Sequence, residues 1–292
     1  PGALALIPMV ADLRRRAGSR AGRAVAALAL AGVLAAGGPA SLAWAASGAS
    51  ASAPACLGTV YLTFDTGNMR DAERIAATLA RHGVRATFFL ANERTPRGDF
   101  ALDDGWAPYW RARVAEGHAF GSHTWDHVYL REAPPVRGAA GPALEMLARP
   151  QFGAQAGRTL RWDGAALCAE LRRVDERLRA IAGRGLDPLW RAPGDKLPPA
   201  AREAALRCGY AHVHWASAGF LGDELPSETH PNEKLLQRAL DGVRDGDILM
   251  MHLGIWSRRE PFAPMLDPLS AGLKRRGLCF ATLAGHPAYR ER

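Results

Sequence analysis

Thr59-Val60-Tyr61-Leu62-Thr63-Phe64-Asp65-Thr66-Gly67 is a β-branched and aromatic run that stops on a carboxylate and a glycine. It reads as a buried strand whose carboxyl end presents an acid. Downstream, strand and helix patterns alternate. Asp71 to Arg81 carries Ile75 and Leu79 on one face, with Gly83 as its stop. Val84 to Ala91 is a nearly continuous apolar run, the pattern of a strand covered on both faces. Asn92 to Gly105 reads as a polar loop, Trp106 to Glu116 as a helix and Ala119 to His123 as a third strand. Tyr129 to Leu160 holds four prolines and four glycines, too long for a simple connection, and is expected to be a functional excursion or flap. From Asp163, a predicted N-cap, Leu167, Leu171, Val174, Leu178 and Ile181 step by 4, 3, 4 and 3 along an amphipathic helix. Further strands are expected at Asp187 to Arg191, Tyr210 to Trp215, Asp247 to His252 and Leu278 to Leu283, with helices between them. Seven strands joined by helices predict parallel pairing in one distorted (β/α)7 barrel, an α/β fold, rather than two domains.

The first 45 residues carry a different pattern. Arg14, Arg15, Arg16, Arg20 and Arg23 precede an uncharged run from Ala24 to Ala36, and Ala43-Trp44-Ala45 offers a small-residue cleavage site. This predicts a signal peptide over 1–45, a Ser/Ala/Gly linker over 46–58 and the barrel over 59–292. The apolar run is short for a membrane span, so no stable span is expected after cleavage. Taking those five arginines and Asp12 away from 37 basic and 29 acidic residues leaves a net charge of +4. No basic run with interleaved aromatics is present, which argues against a nucleic-acid partner. Cys56, Cys168, Cys208 and Cys279 permit two disulfides behind a secretory leader in three pairings, or four buried thiols.

Chemistry gathers at the carboxyl ends of barrel strands. Asp65, His123, Arg191 and His252 all fall at or just after predicted strand ends. His123 and His127 are four residues apart, a spacing that on one helical turn converges two imidazoles on a divalent ion. Asp65 beside such an ion suits a base, Arg191 can pin a carboxylate and keep it ionised, and His252 can protonate a leaving group.

In this order Thr63-Phe64-Asp65, His123-Thr124-Trp125-Asp126-His127, Arg191-Ala192-Pro193, Trp215 and a late strand ending in His252 resemble the polysaccharide deacetylase family, the NodB-homology or carbohydrate esterase family 4 group. The resemblance runs from about Thr59 to Leu283. It implies a secreted or periplasmic hydrolase of carbon–nitrogen bonds, acting as a monomer, that removes N- or O-acetyl groups from an acetylated polysaccharide or peptidoglycan. It also implies a divalent metal, zinc foremost. By resemblance, Asp65 is the base, His252 the acid, Arg191 the group that orients Asp65, and His123 and His127 the metal ligands. Gly194, Trp215 and Trp125 would contact substrate, and Asp223 matches a later aspartate that supports the arginine.

Three positions depart from the family pattern. Thr66 stands where the family has a second aspartate, its third metal ligand; water, Asn68, Asp126 or Asp195 are the candidate replacements. Gly194 stands where an aromatic is common, which leaves Trp106, Trp110 or Trp125 to offer a sugar-stacking surface. Met250 replaces a leucine, a tolerated exchange. Because of Thr66, a catalytically silent glycan-binding protein is the second reading, and hydrolysis of a non-sugar amide on the same scaffold a third.

Overall fold

The structure is a computed structural model that describes residues 56–135 and 144–290. The predicted leader and most of the predicted linker lie outside the described residues, as do 136–143 of the long excursion. In chain order the elements are β1 (Gly58–Asp65), α1 (Ala72–His82), β2 (Thr87–Leu90), α2 (Ala107–Ala115), β3 (Ala119–Ser122), β4 (Tyr129–Glu132), β5 (Met146–Arg149) and β6 (Leu160–Trp162). They continue as α3 (Gly164–Ala182), β7 (Leu189–Trp190), α4 (Pro199–Arg207), β8 (Ala211–His212), α5 (Asn232–Gly242), β9 (Ile248–His252), α6 (Leu266–Arg275) and β10 (Leu278–Phe280).

β1 is the spine because positions 60–65 are buried on both faces. It pairs with β2 on one side; on the other it pairs with β10 over Gly58–Val60 and with β9 over Tyr61–Asp65, all parallel. The seven-stranded sheet runs β10-β1-β2-β3-β7-β8, with β9 also on β1. The alternation of strands and helices thus gives the expected parallel sheet, curled into an open barrel. β7 and β8 are two residues each, shorter than the sequence pattern suggests. Beyond them Arg191 N–H and Val213 N–H still donate across the ladder, to Ser122 O and Trp190 O at 2.8 Å each.

Helices cover the outside for the reasons their sequences give. Ile75 and Leu79 of α1 are buried, and Gly83 ends it in the left-handed region at φ 57°. Asp163 caps α3 by accepting from Ala166 N–H at 2.9 Å. Leu167, Leu171, Val174, Leu178 and Ile181 are all buried, at about 1.5–3 kcal/mol each. A smaller apolar cluster that includes Tyr61, Phe89, Leu189, Val213 and Ile248 lies beneath the candidate site.

The excursion differs from a flap. Its described part forms a three-stranded antiparallel sheet, β4-β5-β6. Leu130, Met146 and Ala148 pack with Leu167, Leu171 and Trp190. Proline and glycine at its turns hid a period-two pattern: Met146 and Ala148 are buried while Leu147 is less so and Arg149 is exposed.

Of the three pairings open to four cysteines, the structure has Cys56–Cys279 and Cys168–Cys208. They span 223 and 40 residues. Chain-entropy reasoning assigns loops of those lengths about 5 and about 4 kcal/mol at most. Reduction is therefore expected to lower the denaturant midpoint, and Cys56→Ser/Cys279→Ser to lower it more than Cys168→Ser/Cys208→Ser. Equal midpoints for oxidised and reduced protein would contradict this.

Candidate active site

The strand order places the candidate residues side by side. Asp65 ends β1 in register with His252 at the end of β9. On the other side of β1, Glu93 follows β2, His123 follows β3 and Arg191 follows β7, with Ser122 and Trp190 in register just before the last two. Neighbouring strands lie about 4.8 Å apart, so side chains far apart in sequence meet at one mouth. Asp65, Glu93, His123 and His252 line a cleft there of about 750 Å³, together with His127, Trp215, Gly194 and Tyr129.

Arg191 is fully buried, and its Nη1 donates to Asp65 Oδ1 at 2.8 Å and to Thr63 Oγ1 at 2.9 Å. Its guanidinium lies 4.2 Å from the centre of the Phe89 ring. Burial works against charge on Asp65, but Arg191, with His123 and His252, holds its carboxyl below the usual range. Asp65 Oδ2 stands 3.6 Å from His123 Nε2.

His123 Nδ1 lies 2.9 Å from the Arg191 carbonyl. Donation there puts the proton on Nδ1 and leaves the Nε2 lone pair facing the cleft, as a metal-ligating imidazole requires. His127 lies 5.0 Å away, centroid to centroid. Burial, then the charge of His123, keeps it neutral, well below its ordinary pKa. The two are joined by a tight turn rather than the helical turn their spacing suggests, with Thr124 at φ 60° and His127 at φ 47°. Glu170 of α3 clamps that turn, accepting from the N–H groups of Trp125 at 3.0 Å and Asp126 at 3.2 Å.

His252 is held from the far side. Asp223 accepts from its backbone N–H at 2.7 Å and lies 3.1 Å from its Nδ1. Burial alone would lower its pKa, but the charge and hydrogen bond of Asp223, with Asp65 and Glu224, raise it to about 10. Asp223 therefore supports His252 rather than the arginine, which corrects the match made from sequence. An acid and a base thus face one cleft with opposite charge states, an arrangement suited to proton transfer in two directions.

Two neutral imidazoles suit a divalent cation. Position 66 offers no third ligand beside them. Thr66 is fully buried, and its hydroxyl donates to Phe89 O at 3.0 Å and accepts from Ala91 N–H at 2.7 Å. It splices β1 onto β2. Among the described residues, no group of three or more His, Cys, Asp or Glu side chains is arranged to hold an ion. The replacements expected from sequence fare no better. Asn68 Oδ1 accepts from Arg70 N–H, Asp126 does not line the cleft, and Asp195 pairs with His214 at 3.5 Å.

Gly194 and Trp215 line the cleft as expected, but Trp125 does not. Its ring lies under Arg173, 4.2 Å from the guanidinium carbon. Trp106 and Trp110 are buried in the main core and offer no face to a sugar. The exposed aromatic on the cleft is Trp256, 62% exposed, on the loop after β9. Sequence reading also missed Glu93, a buried acid two residues past the apolar run that ends at Ala91. Gly67 N–H donates to its Oε1 at 2.8 Å. Burial raises its pKa to about 8.

Comparisons with known proteins agree with this architecture. A chitooligosaccharide deacetylase of Azorhizobium caulinodans is 25% identical over 197 residues, 67% of this chain and 74% of that protein. A family 4 carbohydrate esterase from Streptomyces lividans in complex with acetate has a similar fold, with TM-score 0.54, 20% identity and coverage of 78% of this chain and 94% of that one. A family 4 acetyl xylan esterase from Clostridium thermocellum, in complex with a cobalt ion, aligns with TM-score 0.55, 22% identity and coverage of 77% and 88%. The sequence model described as "Polysaccharide deacetylase" matches residues 54–213, over half of the chain. On that match the chain belongs to the polysaccharide deacetylase family, whose members are hydrolases of carbon–nitrogen bonds other than peptide bonds.

Proposed function

We propose that this protein is a secreted, metal-dependent deacetylase that removes acetyl groups from an extracellular or cell-wall glycan. The observation that carries this reading is the pair Asp65 and His252, in register on adjacent strands, one held ionised by Arg191 and the other held protonated by Asp223. Two disulfides suit an oxidising compartment. No helix among the described residues is long and apolar enough to cross a membrane.

A divalent cation on His123 and His127, zinc foremost, would supply Lewis acidity toward the acetyl carbonyl and make water more acidic. The chain's own groups do the rest. Asp65 takes the proton of the attacking water as oxygen bonds to the carbonyl carbon. The Gly194 N–H on the cleft wall offers a donor to the oxyanion. His252 gives its proton to the sugar nitrogen as the carbon–nitrogen bond breaks, leaving acetate and an amine. Release of acetate from N-acetylated chito-oligosaccharides, measured with and without a chelator, tests this. Oligosaccharide binding with no acetate under any metal would favour the silent glycan-binding reading, which the engagement of Thr66 with β2 supports.

If Asp223 keeps His252 protonated, activity falls on the alkaline side as His252 loses its proton near pH 10. Asp223→Asn removes the main charge that opposes burial, so the alkaline limb of kcat/KM should move down by about 1–3 pH units. An unmoved limb would assign the acid to another group.

Trp256 stands in for the aromatic missing beside Pro193. Trp256→Ala should raise KM for an oligosaccharide by about 3–10-fold, the worth of one aromatic contact, with kcat nearly unchanged. An unchanged KM would remove Trp256 from the substrate path.

A further inference from the structure

We propose that Tyr129 is a substrate-contacting residue, placed by the β4-β5-β6 sheet in the space left at Gly194, where its hydroxyl hydrogen-bonds the bound sugar. The inference rests on the glycan-directed reading above and deepens it, since it assigns sugar contact to a residue outside the segments that resemble the family. Gly194 has a φ of 60°, which favours glycine. A Cβ built there would stand 3.0 Å from Tyr129 Cε1 and 3.4 Å from Lys196 Nζ. A larger side chain at 194 would collide with the tyrosine ring, which holds the ground that an aromatic there would take.

The ring is fixed from several directions. Lys196 Nζ lies 3.6 Å from its centroid, as a cation attracted to a ring face does. The His127 imidazole meets it edge to face, with 5.4 Å between centroids. Tyr129 pairs with Arg149 in the β4-β5 ladder. Just after β5, the N–H groups of Gln151 and Phe152 donate to Asp126 O at 2.9 and 3.2 Å, which docks the sheet on the turn between His123 and His127. Tyr129 is nonetheless only half-buried and lines the cleft. Its hydroxyl makes no hydrogen bond to another of the described residues. A phenol packed along its ring, with its polar tip left over, suits a partner rich in hydroxyl groups. Strand order separates it from Trp256. Trp256 follows β9, which pairs with β1 on one side, whereas Tyr129 follows β3, which lies beyond β2 on the other. The two aromatics thus reach the cleft from opposite sides of β1, Trp256 with an exposed ring and Tyr129 with its hydroxyl.

Binding of an N-acetylated chito-oligosaccharide, measured by calorimetry on the full chain beside kcat for acetate release, tests this. Tyr129→Phe keeps the ring and its packing on Gly194, Lys196 and His127 and removes only the oxygen, so the fold is preserved and a merely structural Tyr129 would leave Kd unchanged. Sugar contact predicts a Kd raised about 2–10-fold, the worth of one hydrogen bond, with kcat nearly unchanged. Trp256→Ala in the Tyr129→Phe background should raise Kd by the same factor as in the wild type, because the two side chains touch the sugar separately. A wild-type Kd in Tyr129→Phe would overturn the assignment and leave the deacetylase reading intact. A fall in kcat at unchanged Kd would overturn it as well, by showing that Tyr129 acts through His127. A wild-type chain that binds no oligosaccharide would overturn both.

Discussion

His252→Ala is expected to lower kcat for acetate release by about 10²–10⁴-fold, the usual worth of a positioned proton donor. The fold should survive, because Asp223 still accepts from the residue 252 backbone N–H, now at 2.7 Å. Substrate binding should survive too, since Trp215, Gly194 and Trp256 line the cleft independently of that ring. The expected signature is therefore a fall in kcat with KM little changed, an interaction made in the transition state only. A His252→Ala variant with wild-type kcat would remove the general acid from the account and leave the leaving amine to take its proton from solvent.

The largest stability effect is expected at Arg191. Arg191→Met removes one partner of a fully buried ion pair with Asp65, a change that costs about 3–5 kcal/mol. The pH dependence has a definite sign. In the wild type Asp65 titrates below its ordinary value, so its ionic contribution is present above that value and is lost as pH falls through the lowered one. Without Arg191, burial is left as the leading influence and pushes Asp65 upward. Below both values the carboxyl is neutral in either protein, and the gap in stability is smallest. Above them the variant holds a buried, unpaired charge, and the gap is widest. Denaturant midpoints at pH 4 and pH 8 should thus diverge with rising pH. A constant gap would mean that Arg191 acts through packing on Phe89 and Trp215 rather than through Asp65.

Much of the site was legible because one rule finds it. Asp65 and His252 end strands and His123 and Arg191 directly follow them, and parallel strands carry those ends to one mouth. The same rule applied to Val84 to Ala91 would have pointed to Glu93, but the polar loop that follows drew attention to solvent rather than to a buried acid. The tryptophans were misplaced for a related reason. Trp106 and Trp110 sit beside and within α2, and which face of that helix is buried depends on its packing, not on a strong sequence stripe. Asp223 was legible as an acid of the site, but its partner was not, because the segment between β8 and α5 carries it to His252 rather than to Arg191. The role of Thr66 as a splice between β1 and β2 has no sequence signature at all; it follows from the register of Asp65 with Phe89.

The central claim is that these side chains form a working hydrolytic site in spite of Thr66. Its most direct test is acetate release from N-acetylated chito-oligosaccharides by the zinc-loaded wild type beside Asp65→Asn, with oligosaccharide binding measured for both. The account predicts steady acetate production by the wild type, lost by about 10²–10⁴-fold in Asp65→Asn while binding persists. Equal and negligible acetate from both proteins, with the oligosaccharide still bound, would contradict it.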